Sequence, residues 1–139
     1  METNYKNAAS VTFPSDPKNL RIAESLIDDV CHAHNIHEDH YGNILIAVTE
    51  AVNNAIFHGN LNDVQKSVSV DSKIENNQLQ FIISDSGLGF DYHNLPDPTA
   101  PENIEKETGR GIFLMKSLAD KVEFKNNGAK VLLTFTIGK

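Results

Sequence analysis

Three short segments of this chain carry residue types that could do chemistry together. Glu50 and Asn54 stand one helical turn apart, so on a helix their side chains project side by side. An asparagine oxygen suits a hard ion such as magnesium, whose other positions phosphates and water can fill, which leaves the carboxylate to orient a nucleophile. A solvated face opposite an apolar stripe is the plainer reading of the same pair. Asp85 closes an apolar strand and is followed by Gly87 and Gly89. A carboxylate there can accept a hydrogen bond from an exocyclic amine such as that of adenine, and glycines let a flat ring approach the backbone, although an ordinary turn fits the same residues. Gly109 and Gly111 bracket Arg110 just before an apolar helix. The first amides and positive dipole end of that helix would attract a phosphate; the alternative is a flexible helix start with an exposed arginine.

Other motifs are weaker. Neither a Gly-x-x-x-x-Gly-Lys-Ser/Thr loop nor a full Gly-x-Gly-x-x-Gly fingerprint occurs. Cys31, His32, His34, His37 and His40 resemble a metal cluster in composition, but on a helix His32 and His34 point to nearly opposite sides, so a histidine-rich surface fits better than a zinc site. His58 shares the Glu50 and Asn54 side of its helix, and a capping or structural role is at least as consistent with it as catalysis. No serine-histidine-carboxylate order stands out, and Cys31 lies on or near an amphipathic helix without an obvious activating base.

The elements that must position these residues can be read from punctuation and period. Residues 9–13 form a short strand, broken by Pro14 to Pro17. Asp16 as N-cap and Pro17 at the first position open a helix over about 17–34, with Leu20, Ala23, Ile27 and Val30 on one face. A second helix covers about 39–58, with Ile44, Val48, Val52, Ala55 and Ile56 toward a core, Glu50 and Asn54 opposite, and Gly59 as its stop. Period-two runs on either side of Asn76-Asn77, and again on either side of Asn126-Asn127-Gly128, read as two hairpins. Between them a proline-bearing stretch over about 91–108 has no apolar period; connections above about 12–15 residues usually serve as lids or binding loops, so this one is expected to be a lid. A last helix is expected from Gly111 to about Asp120, with Ile112, Met115, Leu118 and Ala119 on its apolar side.

With 139 residues, 40% of them hydrophobic, the chain is expected to form one domain spanning 1–139. Lys and Arg number 12 against 19 Asp and Glu, a formal charge of -7, which disfavours phosphate backbones and anionic lipid surfaces. A single cysteine excludes an internal disulfide, and the N-terminal residues lack the pattern of a signal peptide. The longest apolar runs, such as Ile44–Val48, fall far short of the roughly 20 residues that span a bilayer. A soluble, cytoplasmic protein that binds neither nucleic acid nor membrane is the expectation.

In combination the segments resemble the GHKL ATPase superfamily, which groups gyrase, a heat-shock chaperone, histidine kinases and MutL. The run from Glu50 to Gly59 is similar to its N box, Asp85 to Gly89 to its first glycine box, and Glu107 to Gly111 to its second. The short format, Asp97-Pro98 in the loop and Gly111 to Met115 after it most resemble the anti-sigma-factor serine kinases of bacterial partner-switching systems. That resemblance implies an α+β fold, a two-layer sandwich with a mixed, mainly antiparallel sheet and helices on one face, the Bergerat ATP-binding fold. It implies ATP and Mg2+ as ligands, with Asn54 on the metal, Asp85 on the adenine amine, and Gly87, Gly89, Gly109 and Gly111 shaping the pocket. Glu50 would be the base that activates a serine or threonine hydroxyl on a STAS-domain antagonist. A sigma factor as second partner and a homodimer are further implications. Some kinases of the family place an arginine just before the first glycine of the second box; here Glu107-Thr108 stands there and Arg110 lies between the glycines, a departure that bears on transfer rate rather than ATP binding.

Two other readings compete. One is a nucleotide-gated binding module without transfer activity, acting by partner exchange alone; Glu50 speaks against it. The other is a detached histidine-kinase catalytic domain, which would need a phosphoacceptor histidine helix from elsewhere.

Overall fold

Strand β1 (Ala8–Pro14) ends where prolines punctuate the chain. The computed structural model describes residues 8–61, 63–86 and 107–137. Asp16 accepts a hydrogen bond from the Lys18 amide at 3.1 Å and Pro17 takes the first helical position, so the expected helix start is present. It opens a 3-10 turn, Pro17–Asn19, that runs into helix α1 (Leu20–Ala33). Ala23, Leu26, Ile27, Val30 and Cys31 are buried along α1, and Asn35 turns the chain with a left-handed φ of 52°.

Helix α2 (Glu38–Asn54) is capped by His37, whose Nδ1 accepts from the Asp39 amide at 3.0 Å. One member of the histidine cluster therefore has a structural task. Instead of continuing as an α-helix to 58, the chain widens into a π-helical turn, Ala55–Gly59, closed by the Asn60 amide donating to the Ala55 carbonyl at 2.8 Å. Gly59 does not take the left-handed backbone of a helix stop. It lies inside the turn, and close approach of another side chain explains it better, as shown below.

Among the described residues the sheet has the order β1-β2-β3-β5-β4, and all four pairings there are antiparallel rather than mixed as expected. β2 (Ser67–Glu75) and β3 (Gln78–Asp85) form a hairpin through Asn76 and Asn77, with φ of 52° and 65°. Two left-handed residues in succession match the twist of paired strands, which is why asparagines are favoured there. β4 (Lys121–Lys125) and β5 (Lys130–Thr136) form the second hairpin, through a 3-10 turn over Asn126–Gly128.

Register builds the core. Val11, Val70, Ile83, Val131 and Phe124 align across all five strands, and Phe81, Leu133 and Val122 form a neighbouring row. This face joins buried residues of α1, α2 and α3 (Glu107–Leu118) in one hydrophobic cluster. The opposite face carries partly exposed residues such as Asp71, Lys73 and Gln80. The result is an α+β, two-layer arrangement with the helices on one face.

α3 starts at Glu107, so the glycine pair lies within it and does not precede it: Gly109 and Arg110 fall in the first turn and Gly111 just beyond. Glycine's weak helix propensity, about 1 kcal/mol against alanine, made a break the natural reading of the pair; packing of α3 on α2 at Gly111 overrides it. Gly87, Gly89 and residues 91–106 of the expected lid lie outside the described residues, while Glu107 and Thr108 belong to α3. Among the described residues no helix is long and apolar enough to cross a membrane.

Candidate functional site

Alternation along β3 sets the first part of the site. Leu79, Phe81 and Ile83 face the helices, so Asp85, two residues on, falls on the same side at the end of an apolar row. The π turn after α2 passes beside it. A β-carbon added at Gly59 would collide with the Asp85 carboxylate, so only glycine leaves that carboxylate its place. The Asp85 amide donates to the Ala129 carbonyl at 2.9 Å, fixing the strand end to the start of β5.

Asn60, a loop breaker by its sequence context, is fully buried and central. Its Nδ2 donates to Ser15 Oγ at 2.6 Å and to the Ser67 carbonyl at 2.9 Å, and its Oδ1 accepts from the Ser86 amide at 3.0 Å. The end of β1, the start of β2 and the end of β3 thus meet on one amide. Nothing local in the sequence marks Asn60 as buried. For Asp85 a signal was available, because continuing the inward parity of β3 by one step puts it on the helix side.

The second part of the site lies between α2 and α3. A β-carbon at Gly111 would stand 2.9 Å from Glu50 Oε1 and 3.6 Å from both polar atoms of the Asn54 amide, so this glycine lets α3 close over the pair. Asn54 is accordingly buried at 6% exposure, which removes the solvated-face reading for it. A single-stripe view of α2 missed this because α3 covers a second side of the helix. A cavity of about 310 Å³ opens here, lined by Glu50, Asn53, Asn54, Phe57, His58, Arg110 and Leu114. The Arg110 side chain is exposed and shares that cavity with Glu50. Of these lining residues, Asn53, Phe57 and Leu114 were not singled out from sequence.

A narrower hollow runs from Asn54 toward the sheet, walled by Ile83, Met115, Phe124 and Val131 with Asp85 at its end. As it stands it holds about 10 Å³, room for little more than one water, so a flat ring would have to part its apolar walls. Asn54 lines both spaces. Its Nδ2 is buried and, among the described residues, has no hydrogen-bond partner. A buried amide left incomplete at the junction of two hollows is what a ligand-completed site requires, since such a group ordinarily finds a partner. The residues therefore fit a magnesium nucleotide: an amide for metal and phosphate, a carboxylate at an apolar slot for a base, and helix amides with Arg110 for charge.

Elsewhere the titratable groups have structural causes. Burial, with the Asp28 carboxylate adding to it, pushes the Cys31 thiol up to about 11. Such a thiol is protonated at neutral pH and a poor nucleophile. A hydrogen bond to Asp28 raises the Tyr41 hydroxyl above its ordinary value. Among the described residues no group of three or more His, Cys, Asp and Glu could hold a metal ion.

Residues 13–136 match the histidine kinase-like ATPase domain family, and the chain belongs to it. Among curated proteins it is similar to the serine-protein kinase RsbW of Oceanobacillus iheyensis, with 25% identity over 139 residues, covering 95% of this chain and 87% of that one. RsbW of Bacillus cereus strain AH820 is 27% identical over 129 residues, covering 88% and 80%. Among solved structures, the RsbU and RsbW domains of a Mycobacterium tuberculosis protein superpose with a TM-score of 0.65 at 14% identity over 95% of this chain. The chain spans 33% of that longer one, and the likeness concerns the fold.

Proposed function

We propose that the chain, acting as one domain, is an ATP-dependent protein serine/threonine kinase and anti-sigma factor of a partner-switching system, whose substrate is a STAS-domain anti-sigma-factor antagonist. The observation that carries this reading is the meeting of Glu50, Asn54 and Arg110 at one cavity beneath α3, on a chain whose relatives are named serine-protein kinases. Magnesium-ATP, when bound, would supply the γ-phosphoryl group to the oxygen of the acceptor hydroxyl and leave as ADP. Asn54 holds the metal through its amide oxygen, and Asp85 accepts from the amine of the base. Glu50 takes the proton of the acceptor hydroxyl, while Arg110 and the first amides of α3 offset phosphate charge. Gly111 lets α3 come close to α2, and Gly87, Gly89 and Gly109 keep the pocket-shaping role that the family resemblance implies. Most of the catalytic effect in such a site comes from positioning and charge stabilisation.

A cytoplasmic location accords with the unpaired buried cysteine and the formal charge of -7. The sigma factor as second partner and the homodimer remain part of the proposal through family resemblance. The test is transfer of label from ATP to purified STAS-domain proteins in the presence of Mg2+. An acid-stable phosphoserine or phosphothreonine on one of them supports the kinase. Nucleotide binding with no transfer to any of them points to the partner-exchange module, and an acid-labile product points to phosphohistidine chemistry.

A further inference from the structure

We propose that Asn60 is the positioning residue that holds Asp85 against the nucleotide base and thereby sets the preference for a purine carrying a 6-amino group. The inference rests on the reading of Asp85 as the base contact and goes beyond it. Asp85 is the last residue of β3: it pairs with Val68 of β2, while the ladder to β5 ends one residue earlier, at Ser84. Two hydrogen bonds bracket it: its own amide to the Ala129 carbonyl at 2.9 Å, and the next amide, that of Ser86, to Asn60 Oδ1 at 3.0 Å. The second fixes the peptide plane that follows Asp85. Asn60 also adjoins Gly59, the backbone wall against which the carboxylate rests.

Asn60 is itself over-determined. Its Nδ2 has two acceptors, Ser15 Oγ and the Ser67 carbonyl, while Oδ1 has a donor, so a flipped amide would set N–H against the Ser86 N–H. Its backbone amide closes the π turn on Ala55 at 2.8 Å, one residue beyond Asn54. The same residue therefore ties the end of the helix carrying Glu50 and Asn54 to the strand end carrying Asp85. Its side chain lines neither described hollow, so its influence on a nucleotide passes through Asp85.

The experiment compares, on the full chain with Mg2+, the affinities for ATP and for purine riboside triphosphate, which lacks only the 6-amino group. The native protein should prefer ATP by about tenfold or more, the size of one hydrogen bond to a charged group. Asn60→Ala should bring the two affinities together by weakening ATP while leaving the analogue little changed. Should Asn60→Ala fail to fold by circular dichroism, Ser86→Pro serves instead: it deletes the amide that faces Asn60, and proline favours the extended backbone that Asp85 already has as a strand residue. Ser15→Ala removes one anchor of Asn60 but leaves the Ser86 bond, and should keep the preference whatever its effect on stability. A parallel loss of both nucleotides in a folded Asn60→Ala or Ser86→Pro protein would mean a structural role alone and overturn the inference. Asp85→Ala separates the two levels of argument. If it retains the preference, the base contact itself is wrong; if it abolishes the preference while the folded Asn60 and Ser86 variants keep it, only the assignment of Asn60 fails.

Discussion

Asn54 and Asn60 are both buried, six positions apart, on either side of the same π turn. Asn60 spends every polar atom of its side chain on the protein, joining three strand ends. Asn54 has a buried amide nitrogen with no partner among the described residues, and faces both hollows. A satisfied buried amide adds about 0.5–1.5 kcal/mol per hydrogen bond, while an unsatisfied one carries a desolvation penalty of about 1–3 kcal/mol. The strand end that carries Asp85 is thus fixed in advance, and the phosphate side is left for its ligand to complete. Stability and function should separate along that line, as they do when a protein keeps a costly group for its chemistry.

The largest effect tests whether the open side does chemistry. Glu50→Gln keeps the shape beside Gly111 but cannot take a proton, so transfer to the protein substrate should fall about 10²–10⁴-fold while ATP affinity stays near native. Undiminished turnover in a quench-flow assay would remove the base role. Next, Asn54→Ala should abolish magnesium-dependent ATP binding yet leave the denaturation midpoint unchanged or raised, because it deletes an amide that is already incomplete. Asn60→Ala should show the opposite imbalance, with folding weakened by roughly 2–4 kcal/mol as three hydrogen bonds go and buried partners are stranded. Urea titration of the two variants side by side decides the matter: equal losses of stability would erase the contrast between the asparagines.

This contrast also marks where the sequence was legible. Features decided by local backbone chemistry were read from it: the Asp16-Pro17 helix start, the Asn76-Asn77 turn, both hairpins, and the apolar faces of α1 and α2. Glu50, Asn54, Arg110 and Gly111 were picked out individually, and the structure brings them to one place; Asp85 lies across Asn54 from them. What was missed depends on contacts between elements distant in sequence. Gly59 reads as a stop until the Asp85 carboxylate is seen beside it, and Asn60 reads as a loop residue until three strand ends converge there. The start of α3 at Glu107 was misjudged for the same reason, since the close approach that favours helix through Gly111 involves α2.

A smaller effect sharpens the open side. Gly111→Ala puts a β-carbon 2.9 Å from Glu50 Oε1, the far end of a flexible side chain that can swing away. Alanine also favours a helix by about 1 kcal/mol over glycine, so net stability should change little or rise slightly. The displaced carboxylate, however, no longer meets the acceptor hydroxyl, and transfer should drop by about tenfold or more, as small misplacements of catalytic groups commonly do. The measurement is a thermal melt beside a transfer assay. A variant that melts earlier and transfers normally would show that Gly111 serves packing alone.

The smallest effect is a control on the comparison, using a buried polar group with no part in the site. Cys31, on α1, lies in the main hydrophobic cluster, and burial raises its pKa from 9.0 to about 11. The folded state therefore holds the thiol proton more tightly than the unfolded chain. Its contribution to stability is complete below about pH 9 and is lost as pH rises from there through about 11, since only the unfolded chain ionises freely in that window. Cys31→Val fills similar space without a titrating group, so its stability should fall less steeply than the native protein's above pH 9 and run parallel below it. Identical slopes for the two proteins would show that the thiol is not protected by burial. Asn54→Ala, in contrast, should leave this alkaline slope untouched, because an amide does not titrate and its incompleteness answers to nucleotide alone.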